Sequence, residues 1–331
     1  MKNIRSAMLV SLLVIISLVC GCKEEKSDGG DKRHESLGKE PRIKLRLQLQ
    51  PGTYEKVIRE VTESKDNLNS KPRNVKHSQT EWYEIVVSES DSTDQTICEV
   101  ITKRLQSFGS SLGTFDTDNP DSLKDNKIAP LIFWQLNHKI VLKFDPNGEF
   151  ISASGINEMY DELAQQMPST AQFTNQMKET IGNGAEFLYG IASAMLPEEP
   201  VGVDAVWHRM TSKSMPIIGL TKYDHKIQLI KIESTPEGKI AHIKHVGLSQ
   251  IQGGGDTNIS STSTNINNVD MKITGKIQIN VDTGLLVNHK TMKEGEIKIF
   301  QKDSQDKDTI PYVRRFHSTT ERMITPIEPD Q

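Results

Sequence analysis

Apolar and polar residues alternate along most of the chain. Ile43-Lys44-Leu45-Arg46-Leu47-Gln48-Leu49 opens the pattern, and a period of two puts one set of side chains on each face of a strand. Similar runs cover Tyr54 to Val61, Trp82 to Ser88, Thr96 to Leu105, Ile128 to Trp134 and Lys139 to Phe144, and Asp145-Pro146-Asn147-Gly148 turns the chain into Glu149 to Ser152. This half reads as an antiparallel meander. From Gly155 the period lengthens. Ile156, Met159, Tyr160, Leu163 and Met167 fall at helical spacing up to Pro168, then Phe173, Met177 and Ile181 up to Gly182-Asn183-Gly184, then Phe187, Leu188, Ile191, Ala192 and Met195 up to Leu196-Pro197. Beyond Pro200 the strands return over Ala205 to Met210, Thr221 to Glu233, Lys239 to Val246, Met271 to Val281, Leu285 to Met292 and Glu296 to Phe300. The expected fold class is α+β: two antiparallel β regions, each a meander, bracket a central segment of two or three helices, with a curved half-barrel among its forms.

The start of the chain departs from this pattern. Lys2 and Arg5 precede an apolar run from Met8 to Cys20, and Val19-Cys20-Gly21-Cys22 resembles the bacterial lipobox, with Cys20 where Ala, Ser or Thr is usual. As a helix the run reaches about 20 Å, short of the roughly 30 Å hydrocarbon core of a bilayer. Residues 1–21 are therefore expected to be a lipoprotein signal peptide cleaved after Gly21, with Cys22 acylated by palmitate or a similar chain. Residues 22–41 carry charge and glycine with almost nothing apolar, and read as the lipidated cysteine and a disordered tether. The expected units that follow are a β region at 42–154, a helical segment at 155–197, a second β region at 198–302 with a flexible Gly/Ser/Thr/Asn loop at 247–270, and a polar tail at 303–331 to which Ile310 to Phe316 could add an edge strand.

Charge and composition narrow the class. The formal charge is −4, from 40 basic and 44 acidic residues; losing Lys2 and Arg5 with the signal leaves 38 against 44, or −6. Neither balance fits a nucleic-acid binder. Aromatic content of 5% and a mean hydropathy of −0.49 give an aliphatic core under a well-solvated surface. Once Cys20 and Cys22 are accounted for, Cys98 stands alone in Ile97-Cys98-Glu99-Val100-Ile101, which predicts a small buried hydrophobe and no intramolecular disulfide.

Several local patterns imitate active sites. Gly109-Ser110-Ser111-Leu112-Gly113 has the G-x-S-x-G spacing of a nucleophile elbow, but no helix pattern follows it, so it reads as a hairpin tip. Asp116-Thr117-Asp118-Asn119-Pro120-Asp121 has the acid density of a calcium loop, yet Pro120 takes a ligand position and no glycine follows. His242 and His245 point to opposite faces of a strand, and His138 and His225 sit in or beside expected turns, so no metal site is expected. Asn258-Ile259-Ser260 fits a glycosylation sequon. Glu158, Asp161 and Glu162 are the wet side of an amphipathic helix. No catalytic residue and no cofactor is expected.

The lipobox Cys22, the segment Leu45 to Tyr54, Leu196-Pro197-Glu198-Glu199-Pro200-Val201 leading to Trp207, and Thr274 to Gly284 together resemble a family of uncharacterised bacterial lipoproteins, known as a domain of unknown function, over residues 43 to 300. More distantly the order is similar to half-barrel, lipoprotein-carrier-type envelope proteins. The resemblance implies a sheet-rich envelope module, anchored to the cell membrane or outer membrane and facing periplasm or outside, and it assigns no catalytic residues. The expected function is a non-catalytic binding module for a hydrophobic ligand or protein segment, its apolar lining drawn from Met159, Leu163, Met167, Phe173, Met177 and Met195. The alternative is a structural envelope lipoprotein acting through protein contacts, and a hydrolase is the third class. The expected partners are the membrane and a hydrophobic ligand or envelope protein, with no nucleic acid.

Overall fold

The computed structural model describes residues 34–66, 73–90, 95–110, 113–124, 133–136, 138–166, 184–215, 219–252, 264–301 and 312–328. One antiparallel sheet of 13 strands dominates them. The strands are β1 (His34–Ser36), β2 (Gly52–Asp66), β3 (Arg73–Glu89), β4 (Thr96–Ser110), β5 (Gly113–Asp116), β6 (Lys139–Phe144), β7 (Phe150–Ser154), β8 (Val206–Met215), β9 (Gly219–Thr235), β10 (Gly238–Gln252), β11 (Thr264–Asn280), β12 (Leu286–Gln301) and β13 (Tyr312–Pro326). Their spatial order is β1-β8-β9-β10-β11-β12-β13-β2-β3-β4-β6-β7, with β5 beside β4. Two meanders, β2 to β7 and β8 to β13, are thus fused edge to edge where β13 pairs with β2, from Arg314 opposite Asp66 to Pro326 opposite Tyr54.

Among the described residues, three short helices, α1 (Ile156–Gln166), α2 (Gly184–Tyr189) and α3 (Ala192–Met195), lie between the meanders in sequence. Tyr160, Leu163, Leu188, Ala192 and Met195 join one continuous core with the inward residues of the sheet, among them Ile85, Leu142, Trp207, Ile227, Leu229 and Ile243. Buried indoles fasten the helices: Trp134 Nε1 donates to the Met159 carbonyl at 2.6 Å, and Trp207 Nε1 to the Met195 carbonyl at 2.8 Å. Both bonds satisfy a polar tip that burial would otherwise penalise.

The α+β expectation is therefore corrected. The protein is mostly β, and the two β regions are not bracketing layers but one open sheet with short helices packed on it. Five segments account for the difference. Ile43 to Leu49 keeps its alternation, with Leu45, Leu47 and Leu49 buried in the core, yet it forms no strand: Ile43 makes an isolated bridge with Val201, Lys44 Nζ donates to the Glu198 carbonyl and Gln48 N to the Gly284 carbonyl. Leu285 to Met292 and Glu296 to Phe300 are one strand, β12. The expected loop at 247–270 is largely strand, since β10 runs to Gln252 and β11 starts at Thr264. The expected tail holds β13, a central strand rather than an edge. Phe133 and Trp134, read as strand, are helical. The helix expected over Phe173 to Ile181 lies outside the described residues, as do residues 1–33 and Asn258.

Candidate functional site

The inner face of the sheet changes character along the strands. Near the helices it is aliphatic and aromatic. Toward the other strand ends the inward positions are polar, and they are buried: Ser249, His225, His245, His289, Thr291, Ser318, Thr320, Thr62, Ser64, His77, Gln79, Glu81 and Ser107. The registers place them in rows across the sheet. One row runs Ile227, His245, Gly275, Thr291, Thr320, Glu60, Gln79, Ser107, and its neighbour runs Leu229, Ile243, Ile277, His289, Arg322, Ile58, Glu81, Leu105.

Three imidazoles form the centre of this face. His225 on β9, His245 on β10 and His289 on β12 are 0 to 1% exposed, with ring centroids 5.8 Å apart for His225 and His245 and 5.6 Å for His245 and His289. Glycines make room for them. Gly247 lies opposite His225 and Gly275 opposite His245; a Cβ at Gly247 would meet His225 Nδ1 at 2.3 Å, and one at Gly275 would meet His245 Nε2 at 2.2 Å and the Lys290 carbonyl at 2.7 Å. Gly275→Ala is therefore expected to lower stability by about 1–3 kcal/mol through overpacking. Chemical denaturation of Gly275→Ala, His245→Ala and the double variant checks this, with the double variant less damaged than the sum of the singles.

The row is short of hydrogen bonds. Neither ring nitrogen of His245 has a partner among the described residues, nor does Nδ1 of His225 or of His289, whose Nε2 lies 2.9 Å from Thr291 Oγ1. Burial holds all three rings neutral. It depresses His225 to about 4 against a small opposing effect of Asp224, and depresses His245 to about 3 with help from His225. His289 is pushed well below its usual value by burial and then by Arg322, His245, Lys293 and His225. Such rings are weak bases and are not protonated at neutral pH, so the row is poorly suited to general acid–base chemistry. Each neutral ring instead offers one donor and one acceptor. The described residues contain no group of three or more His, Cys, Asp or Glu placed to hold a metal ion.

A second polar cluster sits where the polar and apolar halves meet. Lys56, 1% exposed, donates to the Phe187 carbonyl at 2.6 Å, and its Nζ lies 4.4 Å from the centroid of Tyr83 and 4.8 Å from that of Phe187. The Tyr83 hydroxyl and Gln79 both donate to Glu81. Burial, then Arg322, lowers Lys56 to about 7 against the pull of Glu81, and burial raises Glu81. Sealed between two rings, Lys56 ties α2 to the sheet.

The residues singled out from sequence fall as follows. Met159, Leu163 and Met195 are in the packed core, while Met167, Phe173 and Met177, with Gly21 and Cys22, lie outside the described residues. A crevice between Leu47, Leu49, Cys98, Phe144 and Tyr189 is too narrow for a water molecule. Cys98 is buried, and burial raises its thiol to about 12. Ser110 pairs with Gly113 across a hairpin, as its motif predicts once the elbow is set aside. Asp116 is held by Arg104 at 2.6 Å. His138 meets Glu162 at 2.8 Å. His242 faces outward, 2.9 Å from Glu233, opposite in orientation to His245. His225, expected beside a turn, stands inside β9, and His289 was not singled out at all. Their signal is a histidine in the register of buried aliphatics, as in His225-Lys226-Ile227-Gln228-Leu229.

Comparison with known proteins bears on the same strands. The model of a family of unknown function, DUF6263, matches residues 102–286, more than half of the chain and including His225 and His245. The chain belongs to that family. No curated protein matches the sequence. Solved structures similar to it include two mutants of the Rh. blastica porin, each 7% identical over 82% of this chain, covering 100% and 99% of theirs with TM-scores of 0.23 and 0.22. Another is OccAB4 of Acinetobacter baumannii, 7% identical over 83% of this chain and 99% of its own, with a TM-score of 0.19. At these scores neither fold nor function is carried over to this member of DUF6263.

Proposed function

We propose that the protein is a non-catalytic binding module, held at a bacterial envelope membrane by acylation of Cys22, which takes up a polar ligand or protein segment at the histidine- and hydroxyl-bearing inner face. The observation that carries this reading is His245: fully buried, with neither ring nitrogen partnered among the described residues. A buried group left unpaired costs about 1–3 kcal/mol, which a ligand able to donate and accept would recover. A hydroxyl-bearing or amide-bearing ligand, able to donate and accept, complements neutral imidazoles flanked by Ser and Thr. A lipid tail is a poorer fit, because the apolar half is filled by side chains. In this reading the family resemblance extends to the lipoprotein anchor.

The ligand half is tested with His245→Leu. Removing an unsatisfied buried polar group is expected to leave stability at pH 7 unchanged or raised, while abolishing retention of a co-purifying polar molecule; a destabilised variant that still retains it contradicts the reading. The anchor half is tested with Cys22→Ser, since two acyl chains give stable attachment and one a marginal one. The variant is expected to leave the membrane fraction or accumulate as precursor, and equal membrane retention of a processed variant counts against it. The scaffolding alternative draws on a different feature, the edge strand β7, whose Ile151 to Ser154 are exposed and whose outer ladder is unpaired among the described residues.

A further inference from the structure

The outer face of the sheet carries a row of three lysines on neighbouring strands. Lys244 on β10 lies directly opposite Lys276 on β11, and Lys276 directly opposite Lys290 on β12. All three are exposed, and they point outward because their neighbours Ile243, His245, Ile277, His289 and Thr291 are buried on the other face. Like charges directly opposite one another destabilise a sheet. Several other surface lysines are matched: Lys226 with Glu35 at 2.7 Å, Lys231 with Glu233 at 2.6 Å, Lys76 with Glu63 at 2.7 Å and Lys139 with Glu99 at 2.9 Å. The three aligned lysines have no described carboxylate within ion-pair distance. Glu321, opposite Lys290, accepts instead from Asn288 at 3.0 Å. The row is a local concentration of positive charge on a chain whose formal charge is −4.

Apolar side chains accompany it. In the adjoining row Val246 and Met292 flank Thr274 and are 37% and 39% exposed, and Leu248 beyond them is 62% exposed. Lysines with apolar residues set among them make the surface chemistry of an interface with anionic lipid: the ammonium groups meet phosphates while the apolar groups enter the headgroup boundary.

We infer that the outer face of β10 to β12 docks on an anionic bilayer through Lys244, Lys276 and Lys290. The choice of a bilayer over an acidic protein rests on the anchored reading above and on where the chain enters the fold. The described chain begins at β1, and the order β1-β8-β9-β10 puts it three strand spacings, about 14 Å, from the lysine row. Eleven residues, 23–33, separate Cys22 from β1, a chain length that reaches at most about 36–40 Å. A chain acylated at Cys22 thus holds this face within reach of the bilayer that anchors it, where each weak contact works at high effective concentration.

The test uses the mature chain from residue 22 bearing Cys22→Ser, so that no acyl chain contributes, with vesicles of phosphatidylglycerol and of phosphatidylcholine. The parent is expected to sediment with phosphatidylglycerol vesicles only. Lys244→Gln/Lys276→Gln/Lys290→Gln is expected to weaken that binding about 100-fold, from about fivefold per lysine. Thermal unfolding of the triple variant, expected to match or exceed the parent, shows that the loss is not unfolding. Absence of binding to phosphatidylglycerol, equal binding to both lipids, or undiminished binding by the triple variant overturns the inference, as does capture of an acidic protein through these lysines without vesicle binding. None of these outcomes depends on whether Cys22 is acylated in the cell, which the membrane retention of Cys22→Ser decides separately.

Discussion

A chain ending at Ile310 is expected not to fold cooperatively. The strand it lacks, β13, is advertised only at its start, where Ile310 to Phe316 suggests an edge strand, yet it is the seam of the sheet. It pairs with β12 from Asn288 opposite Met323 to Ile299 opposite Tyr312, and with β2 along almost its whole length. Its Ser318, Thr320 and Ile324 are buried. Removing it separates the two meanders and leaves β12 and β2 as long unpaired edges, which are templates for association with other chains. Size exclusion and urea unfolding followed by tryptophan fluorescence check this. The truncated chain should aggregate or lose its sigmoidal transition, whereas a chain ending at Glu328 should behave as the full one. A two-state transition near the parent midpoint would show that the meanders are independently stable.

Acidification is expected to cost several kcal/mol of stability between pH 6.5 and 4. In the unfolded chain the histidines take up protons near 6.5; in the folded one His225 waits until about 4 and His245 until about 3, and burial holds His289 well below its usual value. The unfolded state therefore binds more protons throughout that window, and stability that is complete above 6.5 is lost as the pH falls through it. His225 alone accounts for about 3 kcal/mol on reaching pH 4. The three contributions are not additive, because each ring that charges raises the cost of charging the next. Urea midpoints at pH 7 and pH 4.5 give the slope, and His245→Leu should reduce it. An unchanged midpoint would mean that the imidazoles reach water or an acid in the folded protein.

Individual elements were readable where the inner face is apolar. Lys139 to Phe144, the Asp145 to Gly148 turn and the stripe Ile156, Met159, Tyr160, Leu163 all predicted the elements observed. Where the inner face is polar, the same alternation carries no hydrophobic signal. Strand β3 begins at Arg73, well before the readable Trp82, because its inward residues there are His77, Gln79 and Glu81. The end of β10 looked like a loop because Gly247 and Ser249 face inward. Strand β13 was hidden by Ser318 and Thr320. The candidate site was illegible for the same reason: the residues that compose it are those that erase the pattern by which strands are recognised. The pairing of β13 with β2 joins opposite ends of the chain, and no local pattern encodes it.

The claim that the inner face binds a polar ligand is tested most directly by native mass spectrometry of the exported Cys22→Ser protein, purified without detergent, beside the same protein carrying His245→Leu. The account predicts a reproducible added mass of a polar small molecule on the first and none on the second. A clean mass for both, or the same adduct on both, would contradict it.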